Sequence, residues 1–180
     1  MKFYLFGFIG GLLGIVGILL IVALFTKKNY GLIREIIINQ PKTAVFNYIL
    51  LLRNQDNFSV WSRKDPEMKK GLLGTDGTVG AVSTWESKMK DVGKGEQEII
   101  KILDGERIDF ELRFLKPFPS TSFAWFETEK ISNTRTKVNW GFSGKMNYPM
   151  NLMLLTMNME KLIGKDFEAG LNKLKEILEK

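Results

Sequence analysis

The hydrophobic pattern changes period along the chain, and each change predicts an element. Phe3 to Phe25 (FYLFGFIGGLLGIVGILLIVALF) is apolar throughout and carries no charge. As a helix rising 1.5 Å per residue it would span about 35 Å, against about 30 Å for a bilayer hydrocarbon core, so a membrane-crossing helix is expected. A cleaved signal peptide has a shorter apolar region, about 7–15 residues, closed by small residues. This run instead ends Ala23-Leu24-Phe25-Thr26, without an Ala-x-Ala site. Tyr30 to Ile38 (YGLIREIII) is rich in β-branched residues and reads as a strand. Asn39-Gln40-Pro41 stops it, and Ala44, Val45, Tyr48, Ile49 and Leu52 then fall at helical spacing, predicting a helix over Pro41 to Leu52. Arg53 to Ser62 reads as a short helix or loop carrying Phe58 and Trp61.

From Met68 to Met146 the period shortens to that of strands, about six of them in an antiparallel meander. Turns are signalled at Thr75-Asp76-Gly77, Asp91 to Gly95, Asp104-Gly105 and Ser132-Asn133-Thr134. In Ile108 to Leu115, Ile108, Phe110, Leu112 and Phe114 alternate with Asp109, Glu111 and Arg113, so one face is buried and the other wet. Thr136 to Gly144 repeats this, with Val138, Trp140 and Phe142 on one face. After Pro149 the helical period returns: a short helix over Met150 to Asn158, then a longer one over Met159 to Lys180. Ile163, Phe167, Leu171, Leu174 and Leu178 form the apolar stripe of the latter.

This order predicts an α+β fold of the helix-grip kind, a curved antiparallel sheet around a long C-terminal helix, preceded by one transmembrane helix. Residues 1–28 form the expected anchor and residues 29–180 the expected domain. Lys27, Lys28, Arg34 and Lys42 lie just beyond the apolar run. The positive-inside rule then favours a single-pass membrane protein with its domain on the cytoplasmic side. Gly7, Gly10, Gly11, Gly14 and Gly17 share one helical face, with GxxxG spacing in Gly7/Gly11 and Gly10/Gly14. A homodimer through that face is consistent with the spacing, as is the ordinary abundance of glycine in membrane helices.

Composition narrows the chemistry. The chain has no cysteine and no histidine. Disulfides, thiol nucleophiles, zinc fingers, Ser-His-Asp triads and histidine bases are therefore excluded. Net charge is +6, but Lys and Arg are scattered among 20 acidic residues, which argues against a nucleic-acid partner and suits a domain near anionic lipid. Neither a metal nor a cofactor is expected. Glu86, Glu111 and Glu127 sit on neighbouring predicted strands; Glu111 alternates with apolar partners and is expected to face water. Gly74, Gly77 and Gly80 are turn glycines, since no Gly-Lys-Ser/Thr sequence or helix start follows them to form a phosphate cradle.

Several stretches together resemble the SRPBCC superfamily of START-related, polyketide cyclase/dehydrase and lipid-transport proteins, in its membrane-anchored bacterial form. Ile36-Ile37-Ile38-Asn39-Gln40-Pro41 with Val45-Phe46-Asn47-Tyr48 resembles the opening strand and helix. Phe58-Ser59-Val60-Trp61-Ser62 is similar to an aromatic W-x-x-W region whose first aromatic is here Phe58. Gly77-Thr78-Val79-Gly80 to Trp85-Glu86 resembles the second hairpin, and Thr136-Lys137-Val138-Asn139-Trp140 the last strand. Gly164 to Leu171 (GKDFEAGL) is similar to the start of the grip helix. The resemblance covers about Tyr30 to Lys180 and implies a START-like helix-grip domain. Function is implied only broadly, because the fold hosts lipid carriers, cyclases, chaperone ATPase activators, toxins and plain binding proteins.

The expected function is membrane-tethered binding or transfer of a hydrophobic, lipid-like small molecule in a cavity between sheet and C-terminal helix. Trp61, Trp85, Phe110, Phe114, Trp125 and Trp140 are the candidate aromatic lining. Met146, Met150, Met153 and Met157 are candidates for a flexible mouth near the Pro149 junction. No catalytic residue is assigned. The alternatives are a cyclase- or hydratase-type enzyme using Glu or Tyr as acid and base, and an interaction module with a filled core.

Overall fold

The computed structural model describes the backbone of residues 2–180 and the side chains of residues 10–180. Helix α1 (Lys2–Phe25) leads into strand β1 (Asn29–Ile38) and three short helices, α2 (Lys42–Leu50), α3 (Leu52–Phe58) and α4 (Val60–Lys64). Six strands follow: β2 (Lys69–Leu73), β3 (Val82–Glu86), β4 (Lys94–Leu103), β5 (Arg107–Lys116), β6 (Ser120–Ser132) and β7 (Arg135–Lys145). A 3₁₀ turn (Met150–Leu152) and the single-turn α5 (Met153–Thr156) precede the long helix α6 (Met159–Leu178).

The seven strands form one antiparallel sheet in the order β1-β7-β6-β5-β4-β3-β2. A strand's side chains alternate between faces, so the register decides what each face carries. Leu32, Ile38, Phe110, Phe126, Val138 and Trp140 fall on the inner, concave face and are buried. Helix α6 lies against that face, chiefly along β1. Its buried stripe is Phe167, Leu171 and Leu174, with buried Gly164 one turn before it and Gly170 within it. This is the α+β helix-grip arrangement. The glycine at 170 is needed for close approach: a Cβ there would meet the Trp140 ring at 2.7 Å. Trp140 packs between Phe126 (4.9 Å between centroids) and Phe167 (4.2 Å), with Phe58 edge-on at 5.8 Å.

The helix expected over Pro41 to Leu52 is cut short. Leu51 turns extended (φ −82°, ψ 118°), and α3 starts afresh at Leu52. The cause lies elsewhere in sequence: the carboxylate of Asp76, on the turn between β2 and β3, accepts hydrogen bonds from Leu52 N (2.7 Å) and Arg53 N (3.3 Å). Those are orphan donors of a helix start, and Asp76 caps them from outside. The helix expected over Met150 to Asn158 is likewise broken, at extended Met157. Asn158 then caps α6, its Oδ1 accepting from Lys161 N at 2.9 Å.

The expected membrane crossing is corrected. Among the described residues, no helix is long and apolar enough to cross a membrane. The described side chains of α1 begin at residue 10. The earlier part of the expected span, residues 3–9, lies outside the described side chains. The single-pass membrane localisation, its cytoplasmic orientation and the membrane partner were drawn from that crossing and are withdrawn with it. In α1, Leu13 and Ile18 stand exposed, and a Cβ on Gly10, Gly11, Gly14 or Gly17 would meet nothing within 4 Å; the side-chain position of Gly7 lies outside the described residues. The C-terminal end of α1 is fixed to the domain by buried Asn151, whose Nδ2 donates to Ala23 O (2.7 Å) and Thr26 O (2.9 Å).

Candidate functional site

The sheet is wider than one helix can cover. Helix α6 covers the concave face along β1 and meets Trp140 and Phe142 of β7 through Phe167, while α2 covers β7 and β6. Towards β5, β4, β3 and β2 the facing elements are the short helices α3 and α4, and a cavity of about 580 Å³ remains. That volume lies inside the range of about 300–1,000 Å³ that holds a drug-sized ligand.

Four of the sequence candidates lie on the cavity wall: Trp61, Trp85, Phe114 and Trp140. Trp61 comes from α4 and meets Phe167 edge-on at 5.7 Å. Trp85 comes from β3 and meets Phe114 of β5 edge-on at 6.0 Å, across β4. Residue 95 of that intervening strand is glycine, where a Cβ would lie 2.5 Å from the Trp85 ring. The Trp85 indole N–H donates to Val92 O at 3.3 Å, which leaves the ring's apolar body for the cavity.

The other six candidates lie elsewhere. Phe110 is buried in the core against Phe126 at 6.0 Å, deeper than the cavity wall. Trp125 has odd parity on β6, opposite to buried Ala124 and Phe126, and its ring lies on the outer face over Gly141 with the Arg107 guanidinium 5.0 Å from its centroid. Met146, Met150, Met153 and Met157 sit at the junction between β7 and α6, beside the end of α1; Met150 and Met153 are exposed there. The exposed part of the cavity lining comes instead from the β3–β4 loop (Lys90, Asp91), the end of β5 and the turn after it (Lys116, Pro117, Phe118), β2 (Lys70, Gly71, Leu72) and Arg53 of α3.

Sequence reading missed several wall residues. Tyr30, Met68 and Leu112 are among them, as is Phe167, read only as helix core. Two glutamines are the most informative. Gln97 Nε2 donates to Gln55 Oε1 at 3.0 Å, joining β4 to α3 across the cavity. Gln55 Nε2 is buried and has no hydrogen-bond partner in the protein. Parity along β4 could have placed Gln97 on the inner face with Ile99, but its partner on α3 becomes visible only once Asp76 has set where α3 begins.

Electrostatics divide the two faces of the sheet. Glu86, Glu111 and Glu127, the carboxylates considered for acid-base work, all lie on the outer face. Glu111 shares Arg113 with Glu96 and Glu98, at 2.6, 2.5 and 2.8 Å, and the hydrogen bonds the guanidinium donates, to Glu96 first, then Glu111 and Glu98, hold Arg113 above its ordinary pKa. Glu127 pairs with Arg107. Glu86 pairs with Lys94 at 3.0 Å, which holds its carboxyl below the usual range. At the cavity, Asp56 pairs with Lys70 (3.0 Å), Arg53 with Asp76 (2.7 Å) and Lys64 with Asp91 (3.2 Å). Burial raises the Tyr30 phenol above 10.0, partly offset by a hydrogen bond with Ser122, so it stays protonated at neutral pH. Among the described residues, no group of three acidic, histidine or cysteine side chains could hold a metal.

Solved structures of the same fold support this description. Norcoclaurine synthase from Thalictrum flavum, in complex with dopamine and hydroxybenzaldehyde, superposes with a TM-score of 0.62 at 9% identity, covering 88% of this chain and 91% of that one. The di-domain ARO/CYC BexL from the BE-7585A biosynthetic pathway gives 0.60 at 12% identity, covering 84% of this chain and 50% of that one. The Aha1 dimer from Colwellia psychrerythraea gives 0.58 at 14% identity, covering 83% and 96%. No protein-family model and no curated protein matches the chain. The likeness is one of fold: a helix-grip domain.

Proposed function

We propose that this chain is a binding protein of the SRPBCC type, which takes up a mainly apolar small molecule in the cavity between the sheet and helices α3, α4 and α6. One observation carries the reading: a cavity of about 580 Å³ walled by Trp61, Trp85, Phe114, Trp140 and Phe167. Apolar area removed from water contributes about 25 cal/mol per Å², so such a wall favours an apolar occupant over water. The carboxylates that an acid-base enzyme would need stand on the outer face or are ion-paired at the mouth. An open cavity weighs against a module with a filled core.

The test is titration of the full chain with the neutral fluorophore N-phenyl-1-naphthylamine. Saturable binding is expected, weakened at least about tenfold by Leu112→Trp, which fills the cavity from its wall, with the melting temperature little changed. Met153→Trp, away from the cavity, should leave binding as it was. Binding unaffected by Leu112→Trp, or blocked by Met153→Trp, would reject this site.

A further inference from the structure

The cavity wall is mainly apolar, and among its polar members, which include Ser59, Ser62, Ser83 and Thr84, one pair of amides stands out. Gln55 and Gln97 meet at 3.0 Å, the amide of Gln97 donating and the carbonyl of Gln55 accepting. That bond uses the Gln55 oxygen and leaves its Nε2, a strong donor, buried beside the cavity without a protein partner. Buried donors of this kind are uncommon, since leaving one unserved costs more than a typical hydrogen bond gains. A turn of the Gln55 amide would bring this donor to the cavity, where water or a ligand oxygen can accept from it.

We infer that the cavity selects a neutral, mainly apolar molecule carrying a carbonyl oxygen, and that Gln55 Nε2 donates to that oxygen. The inference rests on the binding reading above and deepens it. Gln55 is positioned twice, by Gln97 from the sheet and by the Asp76 cap that fixes the start of α3. The charge distribution makes the ligand neutral. Asp56, Arg53 and Asp91 at the cavity are already ion-paired. Lys90 and Lys116 are exposed at the rim. Lys116 pairs with Lys94, three residues along β4 from Gln97, or roughly 10 Å at 3.3 Å per residue. Lys70 and Arg53 also line the cavity but are already committed to Asp56 and Asp76, so a carboxylate seated at Gln55 would have to break an ion pair to be neutralised, whereas a ketone, ester or amide oxygen needs only the one donor.

The experiment compares fluorene with 9-fluorenone, which differ by a methylene against a carbonyl, by calorimetric titration of the full chain and of Gln55→Met. Methionine keeps the side-chain length and removes the donor. The ratio of the two dissociation constants in each protein cancels the difference in their hydration, leaving the coupling between carbonyl and Gln55. The expected result is that the preference for 9-fluorenone falls roughly 3- to 10-fold in Gln55→Met while fluorene affinity holds, the size of one hydrogen bond. An unchanged ratio overturns the inference and leaves the binding reading standing. Failure of both probes to bind overturns both. If 9-fluorenol shows the coupling in place of 9-fluorenone, the amide accepts and the carbonyl assignment is wrong. Fluorene-9-carboxylate binding more tightly than fluorene, in a manner lost at high salt, would move the polar contact to the rim lysines and also overturn it. Should Gln55→Met fail to fold, Gln55→Leu and Gln97→Met supply the same comparison; each removes one member of the amide pair and should reduce the ratio.

Discussion

The two halves of the sheet carry similar aromatic side chains and use them differently. Along β1, β7 and β6 the concave face is filled: Phe126, Trp140 and Phe167 stack at 4.9 and 4.2 Å, and Gly170 lets α6 come down onto Trp140. Along β5, β4 and β3, Trp85 and Phe114 meet each other at 6.0 Å, and no long helix seals them. What spans the second half is polar. Gln97 bonds to Gln55 (3.0 Å), Lys70 reaches Asp56 (3.0 Å) and Ser62 O (3.1 Å), Lys64 reaches Asp91 (3.2 Å), and Ser87 donates to Asp65 (2.5 Å). Close apolar packing makes one half a core; polar struts hold the other open as a site. The difference shows that aromatic content does not by itself mark a pocket. What marks it is whether the opposing element is long enough and close enough to fill the space.

The largest expected effect separates the halves by stability. Phe126→Ala, buried away from the cavity, should cost about 3–5 kcal/mol in urea unfolding, because it leaves a void within the filled half. Phe114→Ala should cost only about 1–2 kcal/mol, because it enlarges a space that already exists, and should weaken apolar probe binding instead. Equal costs would erase the comparison. Next, Asp76→Ala removes the cap of α3 and should cost about 1–2 kcal/mol. It should also loosen the wall that positions Gln55, so binding should fall more than binding to Phe126→Ala protein that remains folded. A loss of stability with binding unchanged would detach α3 from the site.

Smaller effects test the struts. Lys70→Ala breaks a partly exposed pair and should change stability by less than about 1 kcal/mol, while raising hydrogen exchange in α3 and β2. Exchange raised equally in β1 and β7 would show that the halves are not separately held. The smallest effect is in pH. Because folding raises the Tyr30 phenol above 10.0, its contribution is fully present below that pH and is lost as pH rises through the folded value. Tyrosinate absorbance should therefore show a late-titrating group that disappears in Tyr30→Phe, and a bound apolar ligand should delay it further. A titration in which Tyr30→Phe removes an ordinary group near pH 10 would place the phenol in solvent.

Much of the fold was legible because its signals are local. The alternation of Ile108, Phe110, Leu112 and Phe114 defines the inner face of β5, and the stripe through Phe167, Leu171 and Leu174 defines the buried side of α6. The helix break at Leu51 was not legible, because Asp76 acts from 24 residues away. The site was legible in part. Trp85 and Phe114 share a face by parity, yet parity for Trp125 needed the register of β6, which places it outside. Methionines 146, 150, 153 and 157 have the composition of a flexible pocket mouth but follow the edge of the filled half, at the foot of α1, where nothing needs to open. Gln55 and Gln97 were invisible as a pair, since 42 residues separate them and neither belongs to a motif.

The most direct measurement asks where an apolar ketone sits. Benzophenone, photolysed with the full chain and mapped by peptide mass spectrometry, inserts into nearby C–H bonds. The account predicts saturable labelling of Met68 and of the β5 peptide carrying Leu112 and Phe114, which line the open half. Labelling confined to Met150–Thr156 or to residues 10–25, with none on those two peptides, would contradict it.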